Sequence, residues 1–315
     1  MNKQRDFRIY DQKFNQSLKT AHGIWSGRKS IILREENEEG QVCFGEASPT
    51  PGFSSSPLST LIAEAVAWSA GKSFDHSPLF RSALSCLSCE LWDSGEFFSC
   101  QPVHSAVLDA QSIPGIPLVW KRKIGLLPAD QEILQVLDWI SGLPADAKVR
   151  LDANESLNLD SLRLWVNALE GESKLEFFEQ PLPRKQFNEI LAYSKETAIP
   201  FALDETVVSL GGAGLLRQQG WLGYYVIKPS LLTNWEQTLD FIKTEPERSI
   251  VSTVFESPFG YEAVSRCASL AKTTAGLDRS LFAGQPFEFA EHHQSPLLPF
   301  SVGIDQFDQL WEKLR

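Results

Sequence analysis

Apolar positions along the chain recur in two registers. Through residues 6–45 they form short β-rich runs: Phe7-Arg8-Ile9-Tyr10, Ser30-Ile31-Ile32-Leu33 and Gln41-Val42-Cys43-Phe44, with a turn at Glu38-Glu39-Gly40. The stretch from Gly45 to Ser54 is crowded with Gly, Pro and Ser, which predicts an exposed loop. From Pro57 to Trp68, and again from Phe80 to Trp92, the apolar spacing turns helical. The first hundred or so residues therefore predict an α+β unit with a small core of its own.

The texture then changes. Short apolar runs recur, each ending in polar residues and each followed by a helical segment. They are Leu118 to Lys123, Lys148 to Asp152, Leu175 to Glu179, Pro200 to Asp204, Tyr224 to Lys228 and Ser249 to Thr253. Strands alternating with helices imply a parallel sheet, and this many in series imply a closed β/α barrel. A strand around Val103 to Val107 and another near Thr274 to Leu277 complete that expectation.

The charged residues closing five of these runs are Lys123, Asp152, Glu179, Asp204 and Lys228, at spacings of 29, 27, 25 and 24 residues. Each gap is one strand–helix–strand step, so the five side chains converge at the C-terminal mouth, where this fold builds active sites. Taken singly, each has a plainer reading. An acidic residue at a strand end is commonly a helix cap, and a lone lysine is commonly solvated. Five in register with the repeat weigh against that reading. Three carboxylates on neighbouring strands suit a hard cation, Mg²⁺ or alternatively Mn²⁺. A lysine beside another cation is pushed towards the neutral amine and becomes a usable base.

Composition narrows the class further. With 315 residues, 43% hydrophobic and 22% charged, the chain is globular and long enough for one large domain or two. A net charge of −11 disfavours nucleic acid and anionic membranes as partners. Residues 1–14 lack the apolar core of a secretion signal, and no run reaches the roughly 18 apolar residues of a membrane span. Five cysteines without framework spacing predict reduced thiols and a cytoplasmic setting. Cys86 and Cys89 form a CxxC, but Leu84, Leu87 and Leu91 around it mark a buried helix face. None of His22, His76, His104, His292 or His293 stands at a strand end with a partner, so none is assigned to catalysis.

The ordered set resembles the enolase superfamily. Lys121-Arg122-Lys123 stands where that superfamily carries its KxK, and Arg150-Leu151-Asp152-Ala153-Asn154 is similar to its first metal-ligand strand. Phe178-Glu179-Gln180-Pro181 resembles the second, Leu203-Asp204-Glu205 the third, and Ile227-Lys228-Pro229 the opposite lysine strand. Within the superfamily the loop from Gly45 to Ser54, Arg150, the Ser252 to Ser257 segment and Gly276-Leu277-Asp278 resemble the o-succinylbenzoate synthase family.

That resemblance implies an enolase-type (β/α)7β modified TIM barrel with an α+β capping domain. The cap would comprise residues 1–101 plus 286–315, and the barrel residues 102–285. It implies a hydro-lyase of menaquinone or phylloquinone biosynthesis, acting on a small carboxylate. Asp152, Glu179 and Asp204 would be metal ligands, Lys123 the base and Lys228 a cation on the opposite face. Lys121, Arg150, Asn154, Glu205 and Ser252 would contact substrate or orient the ligands, and Arg122, alternating away, would not. Cap loops at 17–28 and 48–54 would close the mouth, with Arg28 or Lys19 meeting a substrate carboxylate. The same residues serve an N-succinylamino acid racemase or dipeptide epimerase, in which both lysines alternate as acid and base. A barrel that only binds is the reading from another class, and five intact charges argue against it. Oligomeric state is left open, with a monomer as the working expectation.

Overall fold

The N-terminal apolar runs pair into an antiparallel sheet of three strands, β1 (Gln4–Thr20), β2 (Gly23–Glu36) and β3 (Val42–Ala47). The computed structural model describes residues 4–20, 23–38, 40–54, 56–73, 75–92, 103–104, 119–277, 282, 297–298 and 304–314. Both faces of this sheet are used. Ile31 and Leu33 pack with Ala47 against α1 (Leu58–Ser69) and α2 (Pro78–Leu87), while Ile32 and Phe44 belong to the main core. Helix α2 begins where Ser77 accepts from the Phe80 N–H and Pro78 fills the first turn. The segment expected as a loop at 17–28 is instead mostly strand, since Leu18 pairs with Trp25 and Thr20 with Gly23. Its polar residues hid the alternation because much of the ribbon faces solvent.

A two-residue strand β4 (Val103–His104) follows. The barrel strand expected at 103–107 is described only at those residues, which pair antiparallel with β11 (Leu297–Leu298). The six strands after it alternate with helices in the order foreseen. They are β5 (Val119–Lys123), α3 (Ala129–Gly142), β6 (Lys148–Asp152), α4 (Leu159–Ala168), β7 (Leu175–Glu179) and α5 (Phe187–Tyr193). Then come β8 (Phe201–Leu203), α6 (Glu205–Ser209), α7 (Ala213–Gln218), β9 (Tyr224–Ile227), α8 (Trp235–Thr244), β10 (Ser249–Val251) and α9 (Pro258–Ala268). All six strands are parallel and neighbour one another in chain order. Ser252 bridges in parallel to Gly276, where the further strand near 274–277 was expected.

Period-two alternation sorts the strand residues. Phe177, Ala202, Val226 and Ile250, from four successive strands, meet on the inner face; Phe178, Phe201, Tyr225 and Val251 face the helices in the main core. Helix α10 (Ile304–Lys313) packs Phe307 and Trp311 between Phe44 of β3 and Phe259 of α9. The domain limits expected at 101/102 and 285/286 lie outside the described residues. No described helix is long and apolar enough to cross a membrane.

Candidate active site

Strand register brings the terminal charges level. Lys123 is the pairing partner of Asp152, and Asp152 that of Glu179. Asp204 and Lys228 each stand one residue past the end of β8 and β9. All three carboxylates are buried, as is Lys228. Lys121 lies on the same strand face as Lys123, and its Nζ sits 2.9 Å from Asp152 Oδ2 and 2.8 Å from Glu179 Oε1. The Lys228 ammonium pairs with Asp204 Oδ2. Lys123 is exposed at the strand end. Arg122 alternates outwards as expected and lies over the Trp139 ring of α3.

Crowding sets the charge states. Burial and the repulsion of Asp152 push the Glu179 carboxyl up to about 7, against the pull of Lys121. Burial and the Asp204 charge raise the neighbouring Glu205 carboxyl to about 8. Burial works to lower Lys121, but Asp152, Glu179 and Asp204 outweigh it and hold its ammonium above the usual range. The same contest, with Asp204 and Glu205 as the anions, raises Lys228. For Asp152 burial opposes ionisation, and the adjacent Lys121 prevails and lowers it. Without a bound dication, Lys121 and Lys228 are thus held protonated.

The remaining sequence candidates divide. The Asn154 N–H donates to Asp152 Oδ1 at 3.0 Å and its amide to Glu205 Oε1 at 3.4 Å, so both residues adjoin the carboxylates. Ser252, one residue past β10, donates its hydroxyl to the Gly276 carbonyl. Arg150 lies deeper. It is buried two residues before Asp152, paired with Glu176 at 2.8 Å and stacked on Phe177, inside the barrel. Arg28, expected at a substrate carboxylate, is buried beside Glu46 with Nε 3.5 Å from Oε1 and donates to the Val254 carbonyl. The side chain of Lys19 lies outside the described residues.

Two participants carried no signal strong enough to single them out. Gln180, quoted above only as a neighbour of Glu179, accepts from the N–H groups of Asp204 and Thr206 and donates to Leu182 O and Thr206 Oγ1. Phe53 of the Gly45–Ser54 loop covers Lys228, its ring centroid 4.3 Å from Nζ. Backbone strain gathers here too: Asn154, Glu155 and Gln180 have φ of 43°, 66° and 36°.

No three His, Cys, Asp or Glu side chains among the described residues form a ready metal cage; the two ammonium groups lie against the carboxylates instead. The donor set nonetheless fits a hard dication. Asp204 Oδ1 and Glu205 Oε2 are buried without a hydrogen-bond partner, beside carboxylates that repel one another.

A parallel β/α sheet whose successive strand ends carry lysine, three carboxylates and lysine, under an α+β cap, defines an enolase-type barrel enzyme. Residues 121–239 match the enolase C-terminal domain-like family. The o-succinylbenzoate synthase of Thermosynechococcus vestitus is 27% identical over 336 residues, covering 98% of each chain. That of Edwardsiella ictaluri is 30% identical over 291 residues, covering 84% of each. The solved o-succinylbenzoate synthase of Thermosynechococcus elongatus, complexed with Mg in its active site, has a TM-score of 0.73 at 24% identity, covering 99% of this chain and 100% of that one. The chain belongs to the o-succinylbenzoate synthase family of the enolase superfamily, and with it to the lyases.

Proposed function

We propose that this chain forms o-succinylbenzoate by removing water from a succinyl-substituted hydroxycyclohexadiene carboxylate, in menaquinone or phylloquinone biosynthesis. The observation that carries the reading is the level set of three buried carboxylates flanked by Lys121 and Lys228. Asp152, Glu179 and Asp204 would hold Mg²⁺, with Mn²⁺ as an alternative. When bound, such a cation supplies electrostatic stabilisation for charge building on the substrate carboxylate.

The chain's own residues do the rest. Lys123, as the neutral amine, takes the proton alpha to that carboxylate; as the ammonium, it returns a proton to the departing hydroxyl. Water leaves and the ring becomes aromatic. Lys228, on the face opposite Lys123, would serve as a fixed cation rather than as a second base. Phe53 over Lys228 keeps water from that ammonium. Asn154 and Glu205 orient the ligands, Ser252 lines the mouth, and Arg150 supports the strand beneath.

The cap would be residues 1–101 plus 286–315 over a barrel at 102–285. The working form would be a monomer in the cytoplasm, where thiols such as Cys43, Cys86, Cys89 and Cys267 stay reduced. The partner is a small carboxylate, not nucleic acid or membrane.

The deciding test is turnover of the cyclohexadiene substrate with Mg²⁺, beside a panel of N-succinyl amino acids. Efficient dehydration with weak racemisation is expected. Racemisation with kcat/KM equal to or above that of dehydration would overturn the assignment.

A further inference from the structure

A buried ionic cluster joins cap to barrel just behind the mouth. Glu46, near the end of β3, accepts from Ser30 Oγ at 2.6 Å on β2. Its other oxygen accepts from the Ser257 N–H at 2.9 Å and from the Ser257 hydroxyl, at the N-cap of α9. Arg28 neutralises the carboxylate and also donates to the Val254 carbonyl, so both members of the pair reach from the cap to one barrel loop. Gly260 makes the approach feasible, because a Cβ there would stand 2.4 Å from Glu46 Oε2. The carboxylate therefore sits in the first turn of an 11-residue helix, where unpaired N–H groups and the helix dipole favour an anion.

A buried ion pair is a weak source of stability, since apolar residues of like volume serve as well. What it supplies is geometry, and this one stands between the two walls of the mouth. Glu46 leads directly into the loop that lays Phe53 over Lys228. Ser257 closes the loop from Thr253, which Glu256 ties down through Thr253 Oγ1 and the Val254 N–H. Glu256 also accepts from Ser230 Oγ at 2.7 Å, two residues past Lys228.

We infer that Glu46 is a positioning residue for substrate affinity: it fixes the spacing between the 48–53 cap loop and the 253–256 barrel loop. The inference rests on the dehydration proposed above. Lys123 lies across the mouth on β5, outside this chain of bonds, so proton removal from bound substrate is largely spared.

The test compares Glu46→Gln, Ser257→Ala and Gly260→Ala with the intact enzyme and with Asp308→Asn. The last loses the Arg34–Asp308 bridge between β2 and α10. Steady-state kcat and KM for the cyclohexadiene substrate with Mg²⁺ are read beside the melting temperature. Losing one charge-assisted hydrogen bond at the latch raises KM about tenfold and leaves kcat within about threefold. Asp308→Asn lowers the melting temperature without raising KM. Ser257→Ala keeps the carboxylate–guanidinium pair and carries the test if Glu46→Gln folds poorly. Unchanged KM in the folded latch variants overturns the inference, and so does an equal rise in Asp308→Asn, which would signal general loosening. An intact enzyme that does not turn the substrate over refutes the dehydration instead.

Discussion

Burial pushes the Glu179 carboxyl at the mouth up, whereas Lys121 holds its neighbour Asp152 down. Asp152→Asn, Glu179→Gln and Asp204→Asn are each expected to lower kcat by at least about 10²-fold while circular dichroism stays native, because each removes one charge from the set proposed to hold a dication. Near-normal rates in any two would refute the ligand assignment. A binding measurement separates this from catalysis: Mg²⁺ should raise the melting temperature of the intact chain, and the rise should vanish in Asp204→Asn. The roles proposed for the two lysines differ. Lys123→Ala and Lys123→Arg should both be inactive, since a guanidinium cannot give up its proton to act as a base. Substantial turnover in Lys123→Arg would show that another group takes the proton. Lys228→Ala should also fail, through loss of fixed charge.

At the scale of elements, the strand ends were legible because a period of one strand and one helix marks them, and a charge closing an apolar run stands out. Depth was not legible. Arg150 shares a strand face with Asp152, as alternation requires, but it lies a layer below and is consumed by Glu176 and Phe177. Alternation gives the face of a residue and says nothing of its height in the barrel. The far end of the β1–β2 ribbon, where Leu18 pairs with Trp25, escaped for a related reason, since a ribbon facing solvent needs no apolar period. Gln180 escaped because a bracket is a three-dimensional fact: its oxygen serves two N–H groups more than twenty residues onward. Gln180→Ala leaves those buried donors unpaired and should cost about 2–4 kcal/mol of unfolding free energy in urea, with kcat falling as Asp204 shifts. Full stability in that variant would mean that the turn after β8 holds itself.

Over the whole molecule, cap and barrel share their interiors. Leu231 and Val254, from the loops after β9 and β10, belong to the apolar cluster of α1 and α2. Helix α10 fills the other side, with the Arg8 guanidinium on the Leu314 carbonyl and Phe307 5.8 Å from Phe44. Trp311→Ala should therefore cost about 3–5 kcal/mol and lower the melting point of the whole protein, not of the cap alone. A separate early transition in calorimetry would show that the two parts melt independently.

The aromatic seam formed by Phe44, Phe259, Phe307 and Trp311 has a consequence in time as well as in space. A ribosome makes Phe44 early and Phe307 some 260 residues later, an interval of roughly 15–50 s at ordinary elongation rates. Throughout it, the face of the N-terminal sheet that carries Phe44 has at most Trp92 and, late on, Phe259 against it, and the nascent chain must travel most of its length with a partly open, sticky flank. Nascent chains stalled before residue 304 should therefore engage holdase chaperones, and release should coincide with the emergence of α10 from the exit tunnel.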